Sequence, residues 1–261
     1  MKNATKVFLS GFILLASAAS VVAVQEDATG KIRNFFKTAE KEQSETVAEE
    51  QNTAETAVTE KKSPVFDFSE KTIGNREAPL KINIFTSFTC PHCTGVHTRL
   101  LPYLKEKYAD TNQALIIFND FPLESRAMTA TMVSHCLSGD AYFAFVETLF
   151  EKQKTWSVAP DVQEALLPYA KLAGLSESDV RACAEDKDAA KEIVRQRNLA
   201  IMRHKIHATP TVILQLDKEK ERFDGAPAQK DVDEAIEKLK SKYKGQWPSE
   251  KKEKKPEPSA P

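Results

Sequence analysis

The sequence carries no excess charge of either sign: 37 lysines and arginines face 38 aspartates and glutamates across 261 residues, a formal net charge of −1. A chain so balanced gives no reason to expect nucleic acid as a partner. Cysteine is scarce, with four residues in all and none among the first 23, which excludes a lipid-modified N-terminal cysteine. The hydrophobic share, 41%, is a little low for a folded chain and predicts one domain with polar appendages.

Those appendages can be read from both ends. Between Val7 and Val24 nothing is charged; Lys2 and Lys6 precede Val7-Phe8-Leu9 and Phe12-Ile13-Leu14-Leu15, and small residues ending in Val21-Val22-Ala23 follow. This layout predicts a signal peptide over residues 1–23, with cleavage after Ala23. An uncleaved membrane anchor is the alternative, because the run is borderline for spanning. Either way the rest of the chain is expected to be exported, to a periplasm-type compartment where disulfides persist. Residues 24–63 read as a disordered polar linker. From Thr38 to Lys62 the composition is Glu-, Thr- and Ala-rich, with Val47 and Val58 as the only large aliphatics, too few to bury an ordered core. An oligomerising stalk competes with this reading, but Val47, Ala54 and Val58 make a poor heptad seam. Residues 246–261 read as a disordered charged tail whose Lys251-Lys252-Glu253-Lys254-Lys255 run is expected to be solvated. The folded domain is expected over residues 64–245.

Two of the four cysteines stand where the local pattern changes period. Lys81-Ile82-Asn83-Ile84-Phe85-Thr86-Ser87 reads as a buried strand, rich in β-branched and aromatic residues. After Cys93, the residues Val96, Leu100, Leu101, Leu104 and Tyr108 fall on one helical stripe. The intervening Cys90-Pro91-His92-Cys93 therefore opens a helix, and Pro91 suits the first turn, whose N–H groups have no partner to lose. Cys90 at that N-terminus gains the orphan N–H groups and the positive end of the macrodipole, both of which favour a thiolate. Cys93 is expected to face inward within disulfide reach, and His92 to donate a hydrogen bond to the Cys90 sulfur. An exposed thiolate that attacks and an inner one that releases is the arrangement thiol–disulfide exchange requires. Thr94, where a haem site needs His, removes the c-type haem alternative. A zinc site of Cys90, Cys93 and His97 lacks a second ligand pair, so no metal is expected and no other cofactor. A purely structural disulfide over so short a loop would be strained and easily reduced.

Phe88-Thr89-Cys90-Pro91-His92-Cys93 resembles the thioredoxin-fold oxidases of the DsbA family. The resemblance takes in Ile73-Gly74-Asn75-Arg76-Glu77-Ala78-Pro79, Phe121-Pro122-Leu123 and Ala208-Thr209-Pro210-Thr211, most of the middle of the chain. It implies an α/β, thioredoxin-like fold with an all-helical insertion between a βαβ half and a C-terminal ββα half. The local patterns agree. Val65-Phe66-Asp67-Phe68 reads as an edge strand, Gly74 to Pro79 as a turn, and Ala114-Leu115-Ile116-Ile117-Phe118 as a second parallel strand. Helical stripes then fill residues 124–205: Met128, Val133 and Leu137; Tyr142, Phe143, Val146, Leu149 and Phe150; Ala165, Leu166, Tyr169 and Leu172; a short helix opened by Ser176; and Ala189 to Lys205 with Ile193, Val194 and Met202. Strands resume at Thr211 and Arg222, and Val232, Ile236 and Leu239 line a last helix.

Further roles follow from the resemblance. Pro210 would be a cis proline beside the cysteines, and Thr209 before it would offer main-chain groups to an incoming peptide, as an added strand does. Cys136 and Cys183, on different helices of the insertion, are expected to be bonded to each other, as in some DsbA-like proteins; two free buried thiols are the alternative. His97, His135, His204 and His207 have no partner in the sequence and read as packed or solvated. The expected activity is a monomeric thiol:disulfide oxidase acting on unfolded exported proteins with free thiols, reoxidised by a quinone-coupled membrane protein. A disulfide isomerase oligomerised through the N-terminal segment, or an exported chaperone with incidental cysteines, are the other readings.

Overall fold

The computed structural model describes residues 64–248. The signal segment, the linker and all but the first three residues of the tail lie outside it. Among the described residues, five strands form one sheet: β1 (Lys71–Gly74), β2 (Leu80–Thr86), β3 (Ala114–Asp120), β4 (Thr211–Leu216) and β5 (Glu219–Asp224). They lie in the order β1-β3-β2-β4-β5, with β2 and β3 parallel and every other pairing antiparallel.

The central strand β2 is buried on both faces because both are covered by helices. Leu80, Ile82 and Ile84 point to one side and meet Val96, Leu100 and Leu104 of α1 and Val232, Ile236 and Leu239 of α8 (Gln229–Lys242). Phe85 points the other way, onto Ala200, Ile206 and Ile213. Helix α1 runs over residues 91–109, α-helical at Pro91–Gly95 and Leu101–Leu104 and widened into π turns at Val96–Leu100 and Lys105–Ala109. Pro102 has no N–H to return to Thr98, so the helix cannot pass through this point with regular bonding. Gly74 ends β1 at φ +102°, where a Cβ would stand 2.3 Å from Ala114 O, so the turn into β2 needs glycine there.

Between β3 and β4 the chain is helical throughout. The insertion comprises α2 (Ser125–His135), α3 (Gly139–Glu151), the short α4 (Gln153–Trp156), α5 (Val162–Leu172), α6 (Glu177–Glu185) and α7 (Lys187–His204). Local signals set its boundaries. Asp161 caps α5 through the N–H groups of Gln163 and Glu164, Gly174 at φ +99° follows its end, and Ser176 with Asp179 forms a capping box on α6. Its core joins Ala130 and Val133 of α2, Phe145, Leu149 and Phe150 of α3, Trp156, Leu166 and Val180. Cys136, at the C-terminus of α2, is bonded to Cys183 of α6, with the two Cα atoms 6.4 Å apart. Closing a loop of that length stabilises by about 4 kcal/mol in the chain-entropy account.

Three expectations change. Residues 65–68 are not a strand: Asp67 N–H donates to His135 O, Phe66 and Phe68 stack on each other, and Phe68 lies against the His135 ring. The edge pairing begins only at Lys71, opposite Phe118. Leu172 is 86% exposed because the buried face of α5 runs through Leu166 and Ala170, and two residues past Ala170 the helix has turned away. On α7 the buried positions are Ala189, Ile193 and Ala200, which leaves Val194 and Met202 outward.

Candidate active site

Where β2 ends, Ser87, Phe88 and Thr89 turn the chain into α1. Cys90 sits at the N-cap with φ −76° and ψ 116°, its N–H donating to Ser87 O, while Cys93 N–H donates to Cys90 O. Pro91 follows at the first helical position. Both thiols are free. Cys90 is shallow rather than open, at 6% exposure, and Cys93 is sealed at 0%. Their neighbours are Phe88 and the core of the insertion, so the pair lies where the sheet domain meets the helices.

The two sulfurs are set in opposite directions. A hydrogen bond from the Cys93 thiol is the main cause that brings Cys90 down to about 5, with further help from Thr209 and from the main-chain N–H groups of Cys93 and His92, against the cost of burial. Burial, with the neighbouring Cys90 sulfur, pushes the Cys93 thiol far up. At neutral pH the resting reduced pair is therefore a Cys90 thiolate held by a Cys93 thiol. Across the site, the Thr209–Pro210 peptide is cis, and when Cys90 is protonated its Sγ donates to Thr209 O at 3.3 Å. The Thr209 hydroxyl is buried with no hydrogen-bond partner, yet near enough to the two sulfurs to favour the anion.

His92 departs from expectation. Its side chain is exposed and makes no hydrogen bond to the sulfur, so its contribution comes from its main-chain N–H. His97 is buried, directs Nε2 to Thr86 Oγ1 at 3.1 Å and stacks on Phe150 with ring centroids 3.7 Å apart. Burial brings its imidazole down to about 3, so it is a neutral packing group at physiological pH. His135 also has partners, Asp67 O at Nδ1 and Asp120 Oδ2 at Nε2, both at 2.9 Å. His204 lies against Phe85, and His207 is exposed. Among the described residues no cluster of three or more His, Cys, Asp or Glu side chains is placed to hold a metal.

Two polar residues hold the active-site turn without any sign in the sequence. Gln153 Nε2 donates to Phe88 O at 2.7 Å and to Cys90 O at 2.9 Å. Glu124, the N-cap of α2, accepts from Arg126 and Ala127 N–H, and against the cost of burial those bonds and the nearby Thr89 side chain hold its carboxyl below the usual value. Their targets lie far away in sequence, and in Gln153's case are main-chain carbonyls, which no residue pattern announces. Beside the pair a groove of about 640 Å³ opens, lined by Pro91, His92, Phe150, Lys154, Val158 and Ala226 among others. Its lining is more apolar than charged.

Comparison with known proteins agrees with this geometry. The Thioredoxin family profile matches residues 67–238. The crystal structure of alpha-DsbA1 from Wolbachia pipientis superposes with a TM-score of 0.61 at 32% identity, covering 67% of this chain and 93% of that one. A protein of Rickettsia bellii named a putative protein-disulfide oxidoreductase is 25% identical over 67% of this chain and 68% of its own length. Across the Rickettsia relatives so described the match spans between 52% and 68% of their length. BdbD from Bacillus subtilis shares the fold at 20% identity, with a TM-score of 0.57, covering 65% of this chain and 92% of that one. Fold, thiol pair and cis proline converge: the chain belongs to the thioredoxin family and, within it, to the DsbA-like disulfide oxidoreductases.

Proposed function

We propose that this protein is an exported thiol:disulfide oxidase that introduces disulfides into newly exported proteins through Cys90 and Cys93. The observation that carries the reading is a free thiol pair at a helix N-terminus beside a cis proline, with Cys90 at the N-cap and Cys93 sealed beneath it. This arrangement sets the two sulfurs apart, Cys90 toward the thiolate and Cys93 toward the thiol. In the oxidised protein a substrate thiolate attacks Cys90 Sγ, the Cys90–Cys93 bond breaks, and Cys93 leaves and takes up a proton. A second substrate thiolate then attacks the substrate sulfur of the mixed disulfide. Cys90 departs as a thiolate, and because it is acidic it leaves readily. Two substrate thiols have been oxidised and the Cys90–Cys93 pair reduced, with one proton retained on Cys93.

The same split supports the direction. Stabilising the thiolate stabilises the reduced protein, which makes its disulfide the stronger oxidant. An extended substrate would pair with the main chain beside cis Pro210 and lay its apolar residues in the groove along α1. Pro91 and the His92 N–H shape the helix start that faces it. The pattern of residues 1–23 supports export to a periplasm-type space, and the names of the relatives support disulfide formation as the task. Reoxidation falls to a quinone-coupled membrane partner, and the protein works as a monomer. Among the described residues no helix is long and apolar enough to cross a membrane. The test is oxidation of a reduced dithiol peptide by the purified disulfide form: stoichiometric peptide disulfide is expected, and failure to oxidise while scrambled substrates are unscrambled would favour an isomerase instead.

A further inference from the structure

One polar side chain of the helical insertion grips the turn that carries the redox site. Gln153 opens α4 and is buried, at 5% exposure. Its amide nitrogen has two protons and both are used, on Phe88 O and Cys90 O. These carbonyls flank Thr89 on the turn that delivers Cys90 to the helix N-terminus. The bonds span 65 and 63 residues of chain. Left unmade, such buried bonds cost more than packing returns.

The grip also has an electrostatic consequence. A carbonyl oxygen carries the negative end of its dipole, and these two stand next to the residue whose sulfur must bear a negative charge. While Gln153 holds them, they keep their orientation, and the N–H groups of His92 and Cys93 remain aimed at the sulfur. Released, the carbonyls would act against a thiolate far more than against a neutral disulfide sulfur. We propose that Gln153 is a positioning residue that tunes Cys90, and so makes the helical insertion a determinant of the redox potential of the Cys90–Cys93 pair. The proposal rests on the reading of that pair as the exchanging one.

Gln153→Met keeps most of the volume and removes both donors, while Gln153→Ala leaves room for a water to replace one. Losing one net bond of about 1.4 kcal/mol moves the glutathione equilibrium of Gln153→Met about tenfold toward the disulfide, about 30 mV more negative for a two-electron couple. Its Cys90 thiolate titration moves up by about one unit, with Gln153→Ala in between. A wild-type potential and titration in Gln153→Met, with melting lowered equally in both redox forms, would reduce Gln153 to a packing role and overturn the proposal. If neither variant folds, the wild-type protein answers: the isotope-labelled Gln153 side-chain amide resonances follow the Cys90 titration in the reduced form, and flat resonances would overturn it. A wild-type protein that reaches no equilibrium with glutathione would contradict the parent reading instead.

Discussion

At the scale of single residues, the two cysteines should fail in different ways. Cys90→Ser is expected to abolish dithiol oxidation, because it removes the sulfur that substrates attack. Cys93→Ser cannot form the disulfide, but its lone Cys90 thiolate, attacking the disulfide of an oxidised peptide and releasing one peptide thiolate, should collect mixed disulfides that no second sulfur resolves, visible as high-mass bands on non-reducing gels. Undiminished and equal turnover by both variants in a peptide-oxidation assay would contradict the mechanism. Thr209→Val removes a hydroxyl that favours the anion while keeping the shape, so it should raise the Cys90 titration by up to about one unit, the worth of a typical net hydrogen bond. An unchanged thiolate absorbance titration would remove Thr209 from the account. Much of this site was legible beforehand. A C-x-x-C at a strand-to-helix junction carries its own chemistry, and the Thr-Pro before a strand carries a position. The part His92 plays is not legible, because spacing cannot tell whether a side chain or its own N–H meets the sulfur. Gln153 could not be found at all, since its partners are main-chain carbonyls.

At the scale of elements, the insertion is braced within itself by a disulfide and tied to the sheet by a polar junction. Replacing Cys136 and Cys183 together by Ala should lower the melting temperature by about 10 °C, taking about 4 kcal/mol for the loop and about 2–4 °C per kcal/mol for a domain of this size. Peptide oxidation should be largely kept; a loss of activity with melting unchanged would refute a structural role. The junction joins residues before β1 to α2. Lys71 pairs with Asp67 at 2.5 Å, Asp67 O meets His135 Nδ1, and Asp120 meets His135 Nε2. Burial opposes a charged His135, yet Asp120 and the Asp67 carbonyl outweigh it and hold the imidazole above its usual value of 6.5. A raised folded value stabilises the fold below the unfolded value and loses that stabilisation as pH rises through the folded one. The wild type should therefore exceed Asp120→Asn in melting temperature most between about pH 5 and pH 6.5, and by less at higher pH. A difference that grows with pH would contradict the assignment. None of this was visible in the sequence, where Phe66 and Phe68 suggest a strand. The structure spends them on the insertion because hydrogen bonding to the end of α2 and packing of two aromatic rings compete successfully with extending a short edge.

At the scale of the molecule, sheet and helical insertion each have a core, and the reactive cysteines belong to the second of these although the first delivers them. The strand–helix alternation and the run of helical stripes were readable because both faces of β2 are buried and each insertion helix buries one stripe. Their mutual placement was not, because no local pattern records which core receives Phe88, Cys90 and Cys93. That placement leaves Cys93 without solvent and Cys90 almost without it, the setting in which hydrogen bonds to a thiolate count most. The central claim, that the arrangement stores oxidising power, is tested most directly by the potential of the Cys90–Cys93 pair, measured by equilibration with glutathione and quantified by mass after thiol blocking. The account predicts a value near the roughly −120 mV of DsbA. A value near the roughly −270 mV of thioredoxin would contradict it.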